Sequence, residues 1–350
     1  MNRANMGAWA ASAISVAAVL AITDAHGQRA PSSESAAAQP SVSAGSADWT
    51  HPTTDWGDPD LQGMWPIAHL IATPMQRPEQ FGERRLMTDE EFAEVVERVN
   101  QRNTRYDEEI RNNKMGGGHW AEPTEALRLT SLIVDPPNGR FPALTEAGVA
   151  KAATMSGSYY QNDNFDDISD FDSWDRCITR GLPVSMLPRN YNNGIQIVQS
   201  PGYVVINIEM AHEARIIPLD GRAPLDPTIK QWLGESRGHW DGNTLVVETT
   251  NFNGETMLAN VGVPGAPRNV NPSSESLRIV ERFTRVSDEV IEFEMTVEDP
   301  EMLTRPFTVQ YPMWRDDDYQ IFEYACHEGN TAVRNYIETS RYERRQRGEL

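Results

Sequence analysis

Positive charge is scarce in this chain. Its 31 lysines and arginines face 51 aspartates and glutamates, a formal net charge of −20 over 350 residues. Nucleic acids and anionic membranes are held through positive potential, so the bulk field argues against both as partners. Cysteine is scarcer still: two residues exclude a disulfide-dense scaffold and a four-cysteine zinc site. Nucleotide signatures are missing. No Gly-x-Gly-x-x-Gly follows a strand pattern, and the glycines at 116–118 come after a helical pattern without a P-loop lysine. Ser185 and Ser273 stand in no Gly-x-Ser-x-Gly elbow, and Gly234-Glu-Ser236-Arg-Gly238, which has that spacing, leads into a strand pattern rather than a helix, which disfavours a serine hydrolase. His-Glu-x-x-His and His-x-His are also absent, so there is no local zinc motif. The expectation is no cofactor and no resident metal.

What is present suits a globular chain of one or two domains, with 39% hydrophobic and 23% charged residues. Residues 1–27 read as a signal peptide: Arg3, an apolar run over 8–22, then Ala25 and Gly27 at the small positions of a cleavage site. That run, about 15 residues, falls short of the roughly 20 that span a bilayer, and no later run is long enough. Residues 28–48 are rich in Ala, Ser and Pro and read as a disordered tether. The expected location is periplasmic or secreted, with no membrane contact after signal removal.

In such a compartment Cys177 and Cys326 are expected to pair, stapling the two ends of the C-terminal region. The alternative is a reactive thiol at Cys326 beside His327.

Residues 49–175 read as an extended, then helical, N-terminal segment. The tryptophans of Trp56-Gly-Asp-Pro-Asp-Leu-Gln-Gly-Met-Trp65 are expected to dock on the main body. Thr88 and Glu91 form a capping box ahead of Phe92, Val95, Val96, Val99, Tyr106 and Ile110, a helical recurrence. A second helix is expected over 145–155. From 195 the pattern changes to short alternating runs, at 195–199, 203–209, 214–218, 238–241, 244–249, 277–286, 289–297, 307–311 and 319–324. Asp241-Gly-Asn243 and Ser287-Asp288 read as hairpin turns. Residues 176–341 therefore read as an antiparallel β-barrel or sandwich, and 342–350 as a charged tail.

Three polar knots interrupt the strand pattern: Glu209-Met-Ala-His212-Glu-Ala-Arg215, Arg237-Gly-His239-Trp240-Asp241 and Glu323-Tyr324-Ala-Cys-His327-Glu328-Gly-Asn330. If they converge at a barrel mouth, His212 and His327 are candidate acids or bases. Glu209, Asp241 and Glu328 would orient them or relay protons. Arg215 and Arg237 would stabilise developing negative charge. His239, Trp240, Asn251, Tyr324 and Asn330 are further ligand-binding candidates. The competing reading makes each a rim residue or a structural ion pair. A metal site converging from His212, His239 and His327 is a third option, and the acidic run from Asp163 to Asp175 a fourth, as a calcium loop or simply a solvated one.

The run Arg237-Gly-His-Trp-Asp-Gly-Asn-Thr-Leu-Val-Val-Glu-Thr-Thr-Asn-Phe252 resembles a family of exported bacterial proteins of unassigned function. So do Arg215-Ile-Ile-Pro-Leu-Asp-Gly-Arg222, Val280-Glu-Arg-Phe-Thr-Arg-Val286 with Thr296-Val-Glu-Asp-Pro300, and the Glu323–Asn330 knot. The resemblance spans roughly 176–341. It implies a lipocalin-like antiparallel β-barrel and supplies neither substrate nor catalytic residue. The expected fold is thus mainly β with an N-terminal α segment. The expected function is acid–base chemistry on a small molecule, of lyase, isomerase or hydrolase type. The alternative is a non-catalytic carrier of a hydrophobic ligand.

Overall fold

The computed structural model describes residues 49–114, 116, 121–159, 164–259, 263–266 and 271–350. The signal peptide, the tether, most of the 115–118 run, His119 and Asp163 lie outside the described residues. In chain order the main elements are β1 (Gly63–Met64), α1 (Asp89–Asn103), α2 (Arg105–Arg111), β2 (Ile133–Asp135) and α3 (Glu146–Thr154). Then come β3 (Ile195–Ser200), β4 (Tyr203–Ile208), β5 (Glu213–Pro218), β6 (Glu235–Asp241), β7 (Thr244–Thr250), β8 (Met257–Ala259) and β9 (Asn271–Pro272). The chain ends with β10 (Arg278–Arg285), β11 (Val290–Glu298), β12 (Phe307–Trp314) and α4 (Ala332–Arg347).

The strands are antiparallel and make a four-stranded sheet, β1-β3-β4-β5, a six-stranded sheet, β2-β12-β11-β10-β7-β6, and the pair β8-β9. Strict alternation builds the core. Phe283 of β10, Phe293 of β11 and Tyr311 of β12 pack in sequence as tilted rings, 4.8 Å between centroids in each pair. All three are buried, with Ile279, Ile291, Met295 and Val309 around them. Each such side chain contributes about 1.5–3 kcal/mol by leaving water.

Among the described residues no ladder joins the two larger sheets, so backbone pairing does not close them into a barrel. A Cβ on Gly238 of β6 would lie 2.7 Å from Leu219 and 2.8 Å from Ile217, so side chains at the end of β5 pack closely over the face of β6 there.

Helix α1 starts on the expected capping box: the Glu91 N–H donates to Thr88 Oγ1 at 3.3 Å and the Thr88 N–H to Glu91 Oε2 at 2.8 Å. It buries Val95 and Val99, and a break at Thr104 separates it from α2. Thr145 caps α3. Of the two tryptophans in the N-terminal run, Trp65 is fully buried and Trp56 is exposed.

Two regions differ from the sequence pattern. Residues 319–324 form no strand. The Phe322 N–H donates to the Glu209 carboxylate at 3.0 Å instead of to a ladder. Helix α4 runs through the 341/342 boundary expected between barrel and tail. Arg341 and Arg344 both reach the Asp166 carboxylate, which ties the helix to the 165–171 loop. No helix among the described residues is long and apolar enough to cross a membrane.

Candidate functional site

A cavity of about 870 Å³ lies outside the sheets, where irregular chain meets the start of α4. One wall is aromatic. Tyr324 lies 5.5 Å from Trp174 and stacks 6.4 Å from Tyr191, the latter pair nearly parallel. Cys177 and Cys326 are bonded at its rim, with Cα atoms 5.7 Å apart. Asn330 adds a donor to Cys177 Sγ at 3.3 Å.

Beside Trp174 the chain from 179 to 189 is buried with a single 3-10 turn (Val184–Met186) as its regular structure, so most of its polar groups need partners from elsewhere. Glu213, at the start of β5, supplies them. It accepts from Thr179 Oγ1, from the Arg180 N–H at 3.1 Å and from Ser185 Oγ at 2.5 Å. This fixes Arg180, whose guanidinium carbon sits 3.7 Å from the centre of the Trp174 ring.

The floor carries two like charges. Glu122 lines the cavity and is 7% exposed; Glu209 is 1% exposed. The Tyr319 hydroxyl lies between them, donating to Glu209 Oε2 at 2.5 Å and lying 3.4 Å from Glu122 Oε1. Glu209 also accepts from Asn192 Nδ2 at 3.0 Å and the Gly194 N–H at 3.1 Å. Glu122 accepts from Asn193 Nδ2 at 2.8 Å and the Asn192 N–H at 2.5 Å. Burial pushes the Glu122 carboxyl above its ordinary range; the Asn193 hydrogen bond opposes this, and the Glu209 charge adds to it. Burial, then the charge of Glu122, likewise drives the Tyr319 hydroxyl well up, so it stays a donor.

The segment before β3 makes this possible. Asn192 adopts φ 54°, in the left-handed region where asparagine is tolerated. A Cβ on Gly194 would lie 2.6 Å from the Tyr319 ring and 2.7 Å from Glu209 Oε2, so only glycine lets the pair close here. Cys177, Ala211 and His212 also hold positive φ. Backbone outliers of this kind gather at functional sites.

A second acidic pair lies beside the aromatic wall. Asp175 accepts from the Ser158 N–H at 2.7 Å and Ser158 Oγ at 2.5 Å. The Asp175 N–H donates to Asp172 Oδ1 at 2.8 Å. Burial, then the Asp175 charge, pushes Asp172 up to about 6.

Of the residues singled out from sequence, Tyr324, Glu328 and Asn330 line the cavity together with the disulfide, and Glu209 lies at its floor. The imidazoles do not join them. His212, His239 and His327 are all exposed, and none lines the cavity. Among the described residues no three His, Cys, Asp or Glu side chains are placed to hold a metal, so neither the three-histidine site nor the acidic calcium loop forms there. Arg215 is buried inside the sheets against Glu281, its Nη1 donating to Oε1 at 2.8 Å. Arg237 pairs with Glu235, and Asp241 with Arg282 at 3.0 Å. Asn251 holds a turn, donating to the Leu225 and Asp226 carbonyls at 3.3 and 3.2 Å. Trp240 packs against the core.

Sequence reasoning missed Glu122, Tyr319, Tyr191 and the two asparagines beside it. One signal was present: Asn190-Tyr-Asn-Asn-Gly194 is a polar, turn-prone run directly before an apolar strand. Glu122 stands in no such cluster. No family model, curated protein or solved structure matches this chain.

Proposed function

We propose that this is an exported small-molecule enzyme in which carboxylates, rather than imidazoles, carry the acid–base step. The observation that carries the reading is the Glu122–Tyr319–Glu209 array at the floor of an open cavity. Burial and the neighbouring Glu209 charge both push the Glu122 carboxyl above its ordinary range, so it holds its proton more tightly than a free carboxyl does. Glu122 faces the cavity and is the group that gives or takes this proton. Glu209, held by four donors, supports it from below. The Tyr319 hydroxyl links the two and acts as a positioning residue. A lyase, isomerase or hydrolase step each needs one such proton transfer.

Export is supported by the disulfide and by the leader-like first 27 residues. A lipocalin-like barrel with two unpaired seams is supported by contacts at both sheet edges. Arg215 of β5 reaches Ser236 of β6 at 3.2 Å, and the Asp316 N–H beyond β12 donates to the Met64 carbonyl of β1 at 3.0 Å. The resemblance of the 237–252 and 323–330 runs to exported bacterial proteins agrees with this. The aromatic wall also suits a second reading, a carrier that binds a ligand without changing it.

The two are separated by incubating wild type and Glu122→Gln with a bacterial metabolite extract and following every mass. Wild type is expected to convert a compound that Glu122→Gln binds and leaves intact, with loss on the order of 100-fold or more in rate. A compound retained by wild type and never altered would reduce the protein to a carrier.

A further inference from the structure

Four carboxylates line the cavity: Glu122, Asp175, Glu323 and Glu328. No lysine, arginine or histidine is among the described lining residues. An anionic ligand would therefore enter against the repulsion of these described lining residues. Beside them, in the same lining, stand the rings of Trp174, Tyr191 and Tyr324, and aromatic faces attract cations through their quadrupole. Carboxylates supply charge, and aromatic faces supply an apolar surface that still favours positive charge. Both features select the same ligand chemistry.

From this arrangement we infer that the cavity binds an organic cation, an amine or quaternary ammonium compound of small-molecule size. Its cationic head lies against the Trp174–Tyr324 wall with the carboxylates around it. The volume, about 870 Å³, accommodates a ligand of that size. Arg180 is not a lining residue; its guanidinium already covers one face of Trp174 and its charge reaches Tyr159 and Tyr324, so the ligand's positive charge is received by the four carboxylates and the remaining ring surface. Binding has a proton consequence. A cation beside Glu122 favours its ionised form, opposing the upward push of burial, so binding shifts its proton equilibrium toward release. The inference rests on the cavity being the ligand site proposed above, and it names the ligand class.

Titration calorimetry on the full chain tests it, with choline and benzyltrimethylammonium as cations. Neutral 3,3-dimethylbutan-1-ol serves as the isostere of choline, and benzoate as the anion. The cations are expected to bind at least about tenfold more tightly than the isostere, and benzoate not at all. Tyr324→Leu, which removes a ring face, and Glu328→Gln, an exposed change that spares the fold, are each expected to weaken the cations several-fold while leaving the isostere unaffected. The binding heat should vary with the ionisation enthalpy of the buffer in wild type and cease to do so in Glu122→Gln. Equal affinity for choline and its isostere, tighter binding of benzoate, or no cation binding at millimolar concentration would overturn the inference. Conversion of a neutral compound alone would remove the cation and keep the acid–base reading. Cation binding without any conversion would do the reverse.

Discussion

The interior of the sheets and the wall of the cavity both bury charge, and they do it in opposite ways. Between the sheets Arg215 meets Glu281, opposite charges in direct contact, with Ser236 and Thr249 taking a further guanidinium nitrogen. At the cavity the buried or half-buried acids come in like-charged pairs, Glu122 with Glu209 and Asp172 with Asp175, bridged by hydroxyls, amides and backbone. An opposite pair largely cancels its own field. A like pair raises the energy of its ionised state and persists only if something other than stability selects it. The backbone follows the same division. The six-stranded sheet is regular and laddered, whereas the cavity wall is irregular chain with positive φ at Cys177 and Asn192. The contrast separates charge that cancels inside the fold from charge left uncancelled at the cavity.

The largest test asks what holds the unladdered wall together. The disulfide joins residues 149 apart in the chain, and in the chain-entropy description its loss costs about 4–5 kcal/mol. Cys177→Ser with Cys326→Ser is expected to lower the urea midpoint accordingly. Hydrogen exchange should accelerate around 174–177 and 323–330 while β10 and β11 stay protected. Uniform loosening across the sheets would break the distinction between the regions. The next test is inside the sheets. Glu281→Leu leaves Arg215 buried beside no carboxylate and is expected to cost about 3–5 kcal/mol by denaturant unfolding. Adding Arg215→Met should restore most of it. If the double variant stays as unstable as the single one, the pair is not a self-cancelling structural unit.

The same division decides what could be read from sequence. The core was legible because alternation survives in β10–β12: Ile279, Glu281 and Phe283 fall on one face by period alone. The α1 capping box and the cysteine pair were legible for the same kind of reason, a short pattern with a local meaning. The histidine knots misled because a polar residue at a strand end is as easily a rim residue, which His239 and His212 are. Glu122 was illegible. Its partners Asn192, Asn193 and Tyr319 lie about 70 and 197 residues away, and no pattern links them. Strand 319–324 was misread because its alternation is real, but its N–H at Phe322 serves Glu209.

A neutral buried group offers a control between the two kinds of charge. His69 stacks on Trp314 at 4.0 Å, with Nε2 3.0 Å from the Pro312 carbonyl. Burial lowers its pKa to about 4. The folded form thus prefers the neutral ring. Its contribution is complete above the ordinary value of 6.5 and is lost as pH falls from there to about 4. The loss amounts to about 3 kcal/mol. His69→Gln, neutral throughout, should remove that share of the acid loss, seen as a flatter plot of unfolding free energy against pH. An unchanged slope would mean the ring is hydrated in the fold.

The smallest effect bears most directly on the comparison. Asp172 is pushed up to about 6 from an ordinary 3.8, by burial first and by Asp175 second. Its protonated form is therefore the one the fold prefers. Stability is greatest below 3.8, falls as pH rises through that value to about 6, and stays at the lower level above. Asp172→Asn keeps an oxygen for the Asp175 N–H and carries no charge. It should therefore stabilise the protein by about 1–2 kcal/mol at pH 7.5 after allowing for solvent screening, and by nothing near pH 3.5. Melting temperatures of wild type and variant across that range give the answer. A stabilisation present at neutral pH and absent in acid marks a carboxylate kept against stability, as the cavity wall requires. A loss at neutral pH would place Asp172 with Glu281, among charges that hold the fold.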